Sequence, residues 1–356
     1  MLTQSSEIVM IVPKLPAAID GLGDYGFQLA QQLEQAYGWK TRFIVGDPGW
    51  RSSGASSVSS ISARSSEALV TLLPTTDTPI LLHYAGHGYA KRGCPLWLVE
   101  ALTQWCKAGG RLITMFHELY ATRPIFSSAT LTRHFQKRLA VKLMTLSDRT
   151  FTNRQSYAEK IHHLSQKSAI VLPVFSNVGE CLYPKPLAAR SRTLVIFGSP
   201  RSRQEIYQQS RLEQICHRLK IETIIDIGAA LSVELNQLGT ISVQSLGVLP
   251  AEKISAILSD AIAGIVSYPT AFLAKSGIFA AYCSHGVLPI VISSDLNHQD
   301  RLEANHHYWW MLSPAPESIQ AIATSAHNWY LTHSLQVHAE KFAQCFEMNS
   351  VILPNC

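Results

Sequence analysis

Short apolar runs alternate with helix-length segments in two consecutive series along this 356-residue chain. The strand-like runs of the first series lie at 8–12, 41–46, 79–84, 111–116, 148–153 and 168–173. The helical patterns between them cover 24–37, 95–108, 130–147 and 154–164. Strands that are separated by helices pair in parallel through crossover connections. The first series therefore predicts a doubly wound parallel sheet.

The second series predicts another sheet of the same kind. Its strand-like runs lie at 193–198, 222–228, 240–245, 261–268 and 287–293, and its helical patterns lie near 203–219 and 251–259. We therefore expect an α/β fold of two Rossmann-like doubly wound domains facing a cleft, since one core rarely grows to this size. The predicted division is 1–176, a linker at 177–186, 187–330, and a C-terminal helix in 331–356 that packs on the exterior or returns to the first domain.

Composition narrows the class of protein. Hydrophobic residues make up 47% of the chain and charged residues 15%, which is typical of a globular protein. No apolar run reaches the length of a spanning helix, no basic region precedes the first apolar run, and the seven cysteines are scattered, so we expect a cytoplasmic protein with reduced thiols. A net charge of +5 suits anionic ligands and predicts no nucleic-acid partner.

One segment leaves membrane contact open. The predicted helix at 131–146 carries basic residues beside apolar ones, a pattern that lies on anionic membranes in some proteins. This helix provides a possible peripheral contact at the inner face of a membrane. The simpler interpretation is a solvated basic face over a core face.

The segment GLGDYG at 21–26 matches the dinucleotide fingerprint G-x-G-x-x-G, and Asp47 stands about twenty residues further on. This pattern would indicate an NAD(P)-dependent oxidoreductase. In the fingerprint, however, the first glycine directly follows the strand, whereas residues 13–20 separate strand and motif here. The spacing favours a loop in which Gly21 and Gly23 let the backbone approach a phosphate or a sugar.

Other motifs also lie at predicted strand ends, where ligands bind in open α/β sheets. His117 and Glu118 follow the run at 111–116, and Lys275, Ser276 and Gly277 open a predicted helix. A helix N-terminus offers unpaired amides and a partial positive charge, so this triplet is either a seat for a diphosphate or an ordinary helix cap. The histidines show no spacing typical of a metal site, and the serine-hydrolase and Walker motifs are absent.

Over most of its length the chain resembles the retaining glycosyltransferases of the GT-B fold, family GT4. The matching segments are PAAIDGLGDYGFQLA, FHELY, LPVFSNV, VIFGSPRSRQEIY and AKSGIFAAYCSHGVLPIVI. The last of these is similar to a family block that carries two glutamates eight residues apart. Neither glutamate is present here, and Lys275 stands near the place of the first.

The resemblance implies transfer of a sugar from a nucleotide diphosphate donor to an unknown acceptor, with retention and without a metal or other cofactor. His117 would be the catalytic residue that contacts the sugar. The donor phosphates would contact Gly21 and Gly23 of the first motif and Lys275, Ser276 and Gly277 of the second. They would also contact the cations Arg201 and Arg203. The acceptor side would hold Asp24, Tyr25 and Glu118.

Two other functions remain open at this stage. The missing glutamates suggest a non-catalytic or impaired GT-B-like binding protein, which would bind a nucleotide or glycan without turnover. The fingerprint at 21–26 with Asp47 suggests the NAD(P)-dependent oxidoreductase. A donor-hydrolysis assay separates the first from a transferase, and a thermal shift with NAD or NADP tests the second.

Overall fold

The structure is a computed structural model that describes residues 6–16, 21–51, 57–121, 129–232, 235–314 and 316–347. The chain divides into two compact units. Unit 1 combines Met1–Leu172 with Leu335–Cys356, and unit 2 is Pro173–Ser334. The sequence placed the corresponding boundaries at 176/177 and 330/331.

Each unit contains one sheet. The strands of unit 1 are β1 (Glu7–Val12), β2 (Lys40–Val45), β3 (Val58–Ser60), β4 (Ile80–Tyr84), β5 (Leu112–Phe116), β6 (Arg149–Thr152) and β7 (Ala169–Val171). The strands of unit 2 are β8 (Ser191–Phe197), β9 (Thr223–Ile227), β10 (Gln237–Leu238), β11 (Ile241–Ser245), β12 (Ala261–Ser267), β13 (Leu288–Ile292) and β14 (Trp309–Trp310).

The helices in chain order are α1 (Gly21–Tyr37), α2 (Ser66–Val70), α3 (Gly86–Tyr89), α4 (Leu96–Lys107), α5 (Ala129–Leu146), α6 (Gln155–Ser165), α7 (Pro200–Tyr207), α8 (Leu212–Leu219), α9 (Ala251–Asp260), α10 (Gly277–Ser284), α11 (Ile319–Leu331) and α12 (Leu335–Glu347). Short 3-10 helices cover Leu187–Ala189 and Thr270–Lys275.

Both sheets are doubly wound. The strand order is β3-β2-β1-β4-β5-β6-β7 in unit 1, with every pair parallel, and β10-β11-β9-β8-β12-β13-β14 in unit 2. Among the described strands of unit 2, β10 and β11 are the one antiparallel pair. The order reverses between β1 and β4 and again between β8 and β12, and such switch points are where ligands bind. The predicted α/β fold of two Rossmann-like domains is confirmed.

The helix α12 completes the core of unit 1. The ring of Phe342 is fully buried and lies 4.2 Å, centroid to centroid, from the ring of Phe151 in β6. One turn further along α12, Phe346 packs against Trp39, and its carbonyl oxygen accepts a hydrogen bond from Arg111 at 3.1 Å. The segment after unit 2 thus belongs physically to the first sheet.

Several local predictions differ from the structure. The first helix was expected at 24–37, but it begins three residues earlier, so Gly21 and Gly23 lie in α1 and not in a loop. The helix expected at 203–219 is two helices, α7 and α8, and the edge strand β3 was not expected. In α5 the ring of Phe135, one of the apolar residues of the predicted helix at 131–146, is 39% exposed.

Candidate functional site

Three histidines and a tyrosine meet at the switch point of unit 1. His83 lies in β4 and His117 directly follows β5, and these strands are paired, so His83 Nδ1 lies 3.1 Å from His117 Nε2. Tyr25 of α1 makes edge contacts with both imidazole rings, and its hydroxyl lies 2.6 Å from Nδ1 of His338 in α12. The four side chains form what we call the histidine cluster.

Burial keeps two members of the histidine cluster, His83 and Tyr25, neutral. His83 is fully buried, and this burial, with a smaller contribution from His338, lowers the pKa of its imidazole from 6.5 to about 3. Burial also raises the pKa of Tyr25 well above its usual value. At neutral pH His83 and Tyr25 therefore provide hydrogen-bonding groups that carry no charge.

The depressed pKa of His83 predicts acid sensitivity. Below pH 6.5 the unfolded chain takes up a proton at this residue that the folded chain excludes down to about pH 3. Stability from neutral His83 is thus present above pH 6.5 and is lost as the pH falls. Between pH 7 and pH 5 we expect the wild type to lose about 2 kcal/mol more free energy of unfolding than His83→Phe. Urea unfolding at both pH values measures this.

The matched control for this titration is His87→Gln, because His87 is exposed. It should retain the pH dependence of the wild type. An equal loss of stability in His83→Phe and in the wild type would show that His83 is protonated in the folded protein.

The predicted acceptor-side residues differ in exposure. Tyr25 is 2% exposed and belongs to the histidine cluster, Asp24 is half-buried, and Glu118 is exposed just beyond β5. His117 is 6% exposed, and its carbonyl oxygen accepts a hydrogen bond from Asn153 Nδ2 at 3.2 Å. The structure therefore brings Tyr25 and His117 into contact, while their roles toward a sugar stay predictions.

The glycines at the start of α1 differ in the space around them. A Cβ on Gly23 would overlap the backbone of Lys14, and one on Gly26 would lie 2.9 Å from Val12 Cγ1. Gly23 and Gly26 are therefore required where α1 packs closely on β1 and the segment after it. Gly21 has open space around its Cα, so it remains accessible to a ligand.

Asp47, the acidic residue of the dinucleotide pattern, already has partners. Its carboxylate lies 3.4 Å from Lys14 Nζ and 3.6 Å from Arg64 Nη2, and it accepts a hydrogen bond from the amide of Gly49. In the dinucleotide fold this carboxylate binds a ribose hydroxyl. These ion pairs argue against the oxidoreductase hypothesis. So do residues 13–20, which separate β1 from Gly21.

The switch point of unit 2 lies between the ends of β8 and β12. Gly198 follows β8 with φ +130°, and a Cβ there would lie 2.7 Å from Ile278 Cδ1 in α10. Gly228, after β9, has φ +145°, and its Cβ would lie 2.6 Å from the carbonyl oxygen of Gly198. Because both glycines adopt a left-handed backbone without a side chain, the segments after β8 and β9 and the start of α10 approach one another closely.

The helix α10 begins at this switch point with an open N-terminus. Ser276 caps it, since its hydroxyl accepts a hydrogen bond from the amide of Phe279 at 3.2 Å. The first helical amides, those of Gly277 and Ile278, have no acceptor within the helix. A Cβ on Gly277 would meet nothing within 4 Å. Two amide donors at the positive end of a helix thus stand beside open space, as in anion sites.

The two predicted phosphate-binding arginines have different environments. The side chain of Arg201 is 91% exposed, and its Nε lies 3.2 Å from Oε1 of Glu205, whose other oxygen accepts a hydrogen bond from Ser267 at the end of β12. Arg203 is buried, and its guanidinium bonds to the carboxylate of Asp226 and to the carbonyl oxygens of Gly198 and Ala229. That geometry favours an internal structural role for Arg203.

Lys275, the remaining predicted donor contact, ends the second 3-10 helix and is half-buried. Sequence reasoning missed the positive φ of Gly198 and Gly228, although a strand followed by Gly-Ser-Pro is a signal for such a turn. It also missed His338, because nothing in α12 indicates that it contacts α1.

The described residues contain neither a metal-binding cluster nor a helix that could span a membrane. No three histidine, cysteine, aspartate or glutamate side chains among them come together in a way that could hold a metal ion. Of the helices that the structure describes, none combines the length and apolar character needed to cross a membrane.

Comparison with known proteins gave matches in structure alone. No family model matches the chain, and no curated protein matches it in sequence. An α-glucosyltransferase solved with UDP and a 13-mer DNA is similar at 8% identity and TM-score 0.56, over 96% of this chain and 99% of that one. A trehalose 6-phosphate synthase from Burkholderia multivorans is similar at 12% identity and TM-score 0.56, over 97% of this chain and 99% of that one.

A third similar structure comes from Listeria monocytogenes and is named as a UDP-N-acetylglucosamine 2-epimerase. It shares 10% identity with this chain at TM-score 0.53, and the match covers 98% of both chains. At such low identity these likenesses concern the fold. The chain has the GT-B fold, which consists of two Rossmann-like domains. Glycosyltransferases are among the proteins with this fold.

Proposed function

We propose that this protein is a glycosyltransferase that moves a sugar from a nucleotide diphosphate donor to an acceptor. The observation that carries the proposal is the N-terminus of α10. It presents the amides of Gly277 and Ile278 at the switch point between β8 and β12, next to the segment that bears the exposed Arg201. The similar α-glucosyltransferase, which was solved with UDP, supports a nucleotide-sugar donor.

The chemistry that this arrangement supports is stabilisation of a leaving diphosphate. Negative charge accumulates on the diphosphate as the bond to the sugar breaks, and fixed amide dipoles and a guanidinium lower the energy of that charge. In the proposed mechanism the amides of α10, Arg201 and Lys275 supply this stabilisation without a metal. His117 contacts the sugar, and Asp24, Tyr25 and Glu118 lie on the acceptor side.

Retention of the sugar's configuration is the finer part of the proposal. It comes from the resemblance to family GT4, in which the acceptor attacks from the face that the diphosphate leaves and no protein nucleophile is needed. Comparing the anomeric configuration of donor and product by NMR tests this. An inverted product would exclude the retaining mechanism and leave sugar transfer itself in place.

Gly277→Asp provides the sharpest test of the donor site. An aspartate at the first position of a helix stabilises the helix, and the open space at Gly277 accommodates its side chain. The same carboxylate repels a diphosphate. We expect Gly277→Asp to fold normally and to bind UDP, GDP or ADP at least about tenfold more weakly than Gly277→Asn, the uncharged control of the same shape, in calorimetric titrations.

Arg201→Ala complements this test. Removing the exposed guanidinium should weaken nucleoside diphosphate binding by about tenfold, since hydrogen bonds to charged groups contribute roughly 1.5–3 kcal/mol. Lys253→Ala in α9 is the control, because it removes one exposed positive charge elsewhere in the unit. If the wild type binds none of the nucleoside diphosphates at millimolar concentration, the proposed function is wrong.

The acceptor is a separate question. The similar α-glucosyltransferase was solved with DNA, so the comparison gives no support to the expectation that nucleic acid is not a partner. Transfer from a radiolabelled nucleotide sugar to duplex DNA, to anionic vesicles and to small glycans distinguishes these acceptors. The vesicle sample also tests the proposed membrane contact of the basic helix at 131–146.

A further inference from the structure

A basic cavity lies at the edge of the unit 2 sheet opposite to the α10 N-terminus. Its volume is about 230 Å³. Arg192 at the start of β8, Arg218 and Lys220 at the end of α8, and Trp309 of β14 line it together with Ile319, the first residue of α11. Since β8 begins and α8 ends there, this is the amino-terminal edge of the sheet, whereas the proposed donor site is at the carboxyl ends of the strands.

The three cations at this cavity have no counterion among the described residues. Among the described residues, Arg192, Arg218 and Lys220 form no ion pair, and their side chains form no hydrogen bond. Neighbouring exposed acids, Glu222 and Glu317, lie beyond 4.0 Å from all three. Arg218 and Lys220 are exposed, so water screens part of the repulsion among the three like charges, and an anion in the cavity would offset the rest.

The helix dipole explains only part of this arrangement. Cations near the C-terminus of a helix interact favourably with its carbonyl groups, which accounts for Arg218 and Lys220 in α8. Arg192 lies in a strand, so interaction with a helix C-terminus does not account for its position. A separate helix end adds to the positive potential, since the N-terminus of α11 borders the cavity at Ile319.

Trp309 adds an aromatic wall with an unmet donor. The residue is 3% exposed, and its buried indole N–H has no hydrogen-bond acceptor among the described residues. A buried donor without a partner is unusual in a folded protein. The cavity therefore combines positive charge with the apolar surface of Trp309, whose N–H is itself closed to solvent.

We propose that this cavity binds a phosphate group, as the free anion or as a small phosphomonoester. The cavity is smaller than the roughly 300–1,000 Å³ of sites for drug-sized ligands, which suits a compact anion. Arginine and lysine side chains are the usual partners of phosphate oxygens. This phosphate site and the proposed donor site lie at opposite edges of one sheet.

Calorimetric titration with inorganic phosphate and with glucose 6-phosphate, at constant ionic strength, tests the proposal. We expect saturable binding to the wild type, and binding weakened at least about thirtyfold in Arg192→Gln/Lys220→Gln, which removes two charge-assisted contacts. Lys253→Gln/Lys167→Gln is the control with the same change in net charge, and it should bind like the wild type. Both double variants should keep the wild-type affinity for UDP.

The proposed donor site also attracts phosphate, so its contribution has to be separated. The phosphate titration is repeated with Arg201→Ala, which should leave affinity for the basic cavity unchanged. Phosphate binding that is lost in Arg201→Ala and kept in Arg192→Gln/Lys220→Gln would overturn the proposal. Equal binding to the cavity variant and to its charge-matched control would overturn it as well.

Lipid headgroups also carry phosphate, so a membrane lipid is the alternative ligand. Vesicles of phosphatidylcholine with and without phosphatidic acid are tested by co-sedimentation. Binding to the acidic vesicles that the cavity variant loses, without binding of free phosphate, assigns the site to a lipid phosphomonoester. If neither phosphate nor the acidic vesicles distinguish the cavity variant from its control, the cavity is not a phosphate site.

Discussion

Replacing Arg203 by leucine is expected to lower the free energy of unfolding by about 3–5 kcal/mol. Arg203 and Asp226 are each about 2% exposed and form an ion pair inside unit 2. Leucine would leave the Asp226 carboxylate buried without its counterion and would free the carbonyl oxygens of Gly198 and Ala229. Urea unfolding at pH 7, followed by circular dichroism, measures the change.

The control for Arg203→Leu lies two residues earlier in the same helix. Arg201→Ala removes a guanidinium that is 91% exposed and, among the described residues, pairs with Glu205 alone. It should change stability by no more than about 0.5 kcal/mol. A second variant, Arg203→Leu/Asp226→Leu, should recover part of the loss, because a buried ion pair is replaceable by apolar residues. A loss below 1 kcal/mol in Arg203→Leu would contradict the buried ion pair.

Phe342→Ala is expected to destabilise unit 1 by about 3–5 kcal/mol, as is usual for a fully buried phenylalanine. The ring of Phe342 fixes α12 to the sheet through Phe151. Hydrogen exchange provides the measurement, because it reports local stability strand by strand. Amides of β4 and β5 should exchange faster in Phe342→Ala.

The exchange of unit 2 completes this experiment. Amides of β12 and β13 should keep their rates in Phe342→Ala and exchange faster in Arg203→Leu. Phe135→Ala serves as the control in unit 1, since that ring is 39% exposed and its loss leaves no cavity. Faster exchange in unit 2 alone would show that α12 does not support unit 1.

The elements that form apolar runs or helical patterns could be predicted from the sequence, and three short edge strands could not. The strands β1, β4, β5, β12 and β13 are apolar runs, and buried parallel strands require such runs. The strands β3, β10 and β14 span three residues or fewer and form only because a neighbour offers its backbone. The break between α7 and α8 contains no glycine or proline that would mark it.

The strand ends in the sequence predicted where the candidate site lies, but they did not predict its individual contacts. Arg201 and Arg203 look equivalent in sequence, yet positions two apart emerge about 200° apart around a helix. One guanidinium therefore faces solvent while the other faces the sheet. His83 and His117 meet because β4 pairs with β5, and strand order is a tertiary property that the composition of either strand does not contain.

The way α12 completes unit 1 has a consequence for synthesis of the chain. Tyr25 and His338 are hydrogen-bonded partners separated by 313 positions, and all of unit 2 lies between them. A ribosome releases the chain from its N-terminus, and domains form as their residues emerge. Unit 2 therefore completes its own core first. Unit 1 keeps an uncovered apolar face until its last helix, α12, emerges. During translation that face is the surface most in need of a chaperone.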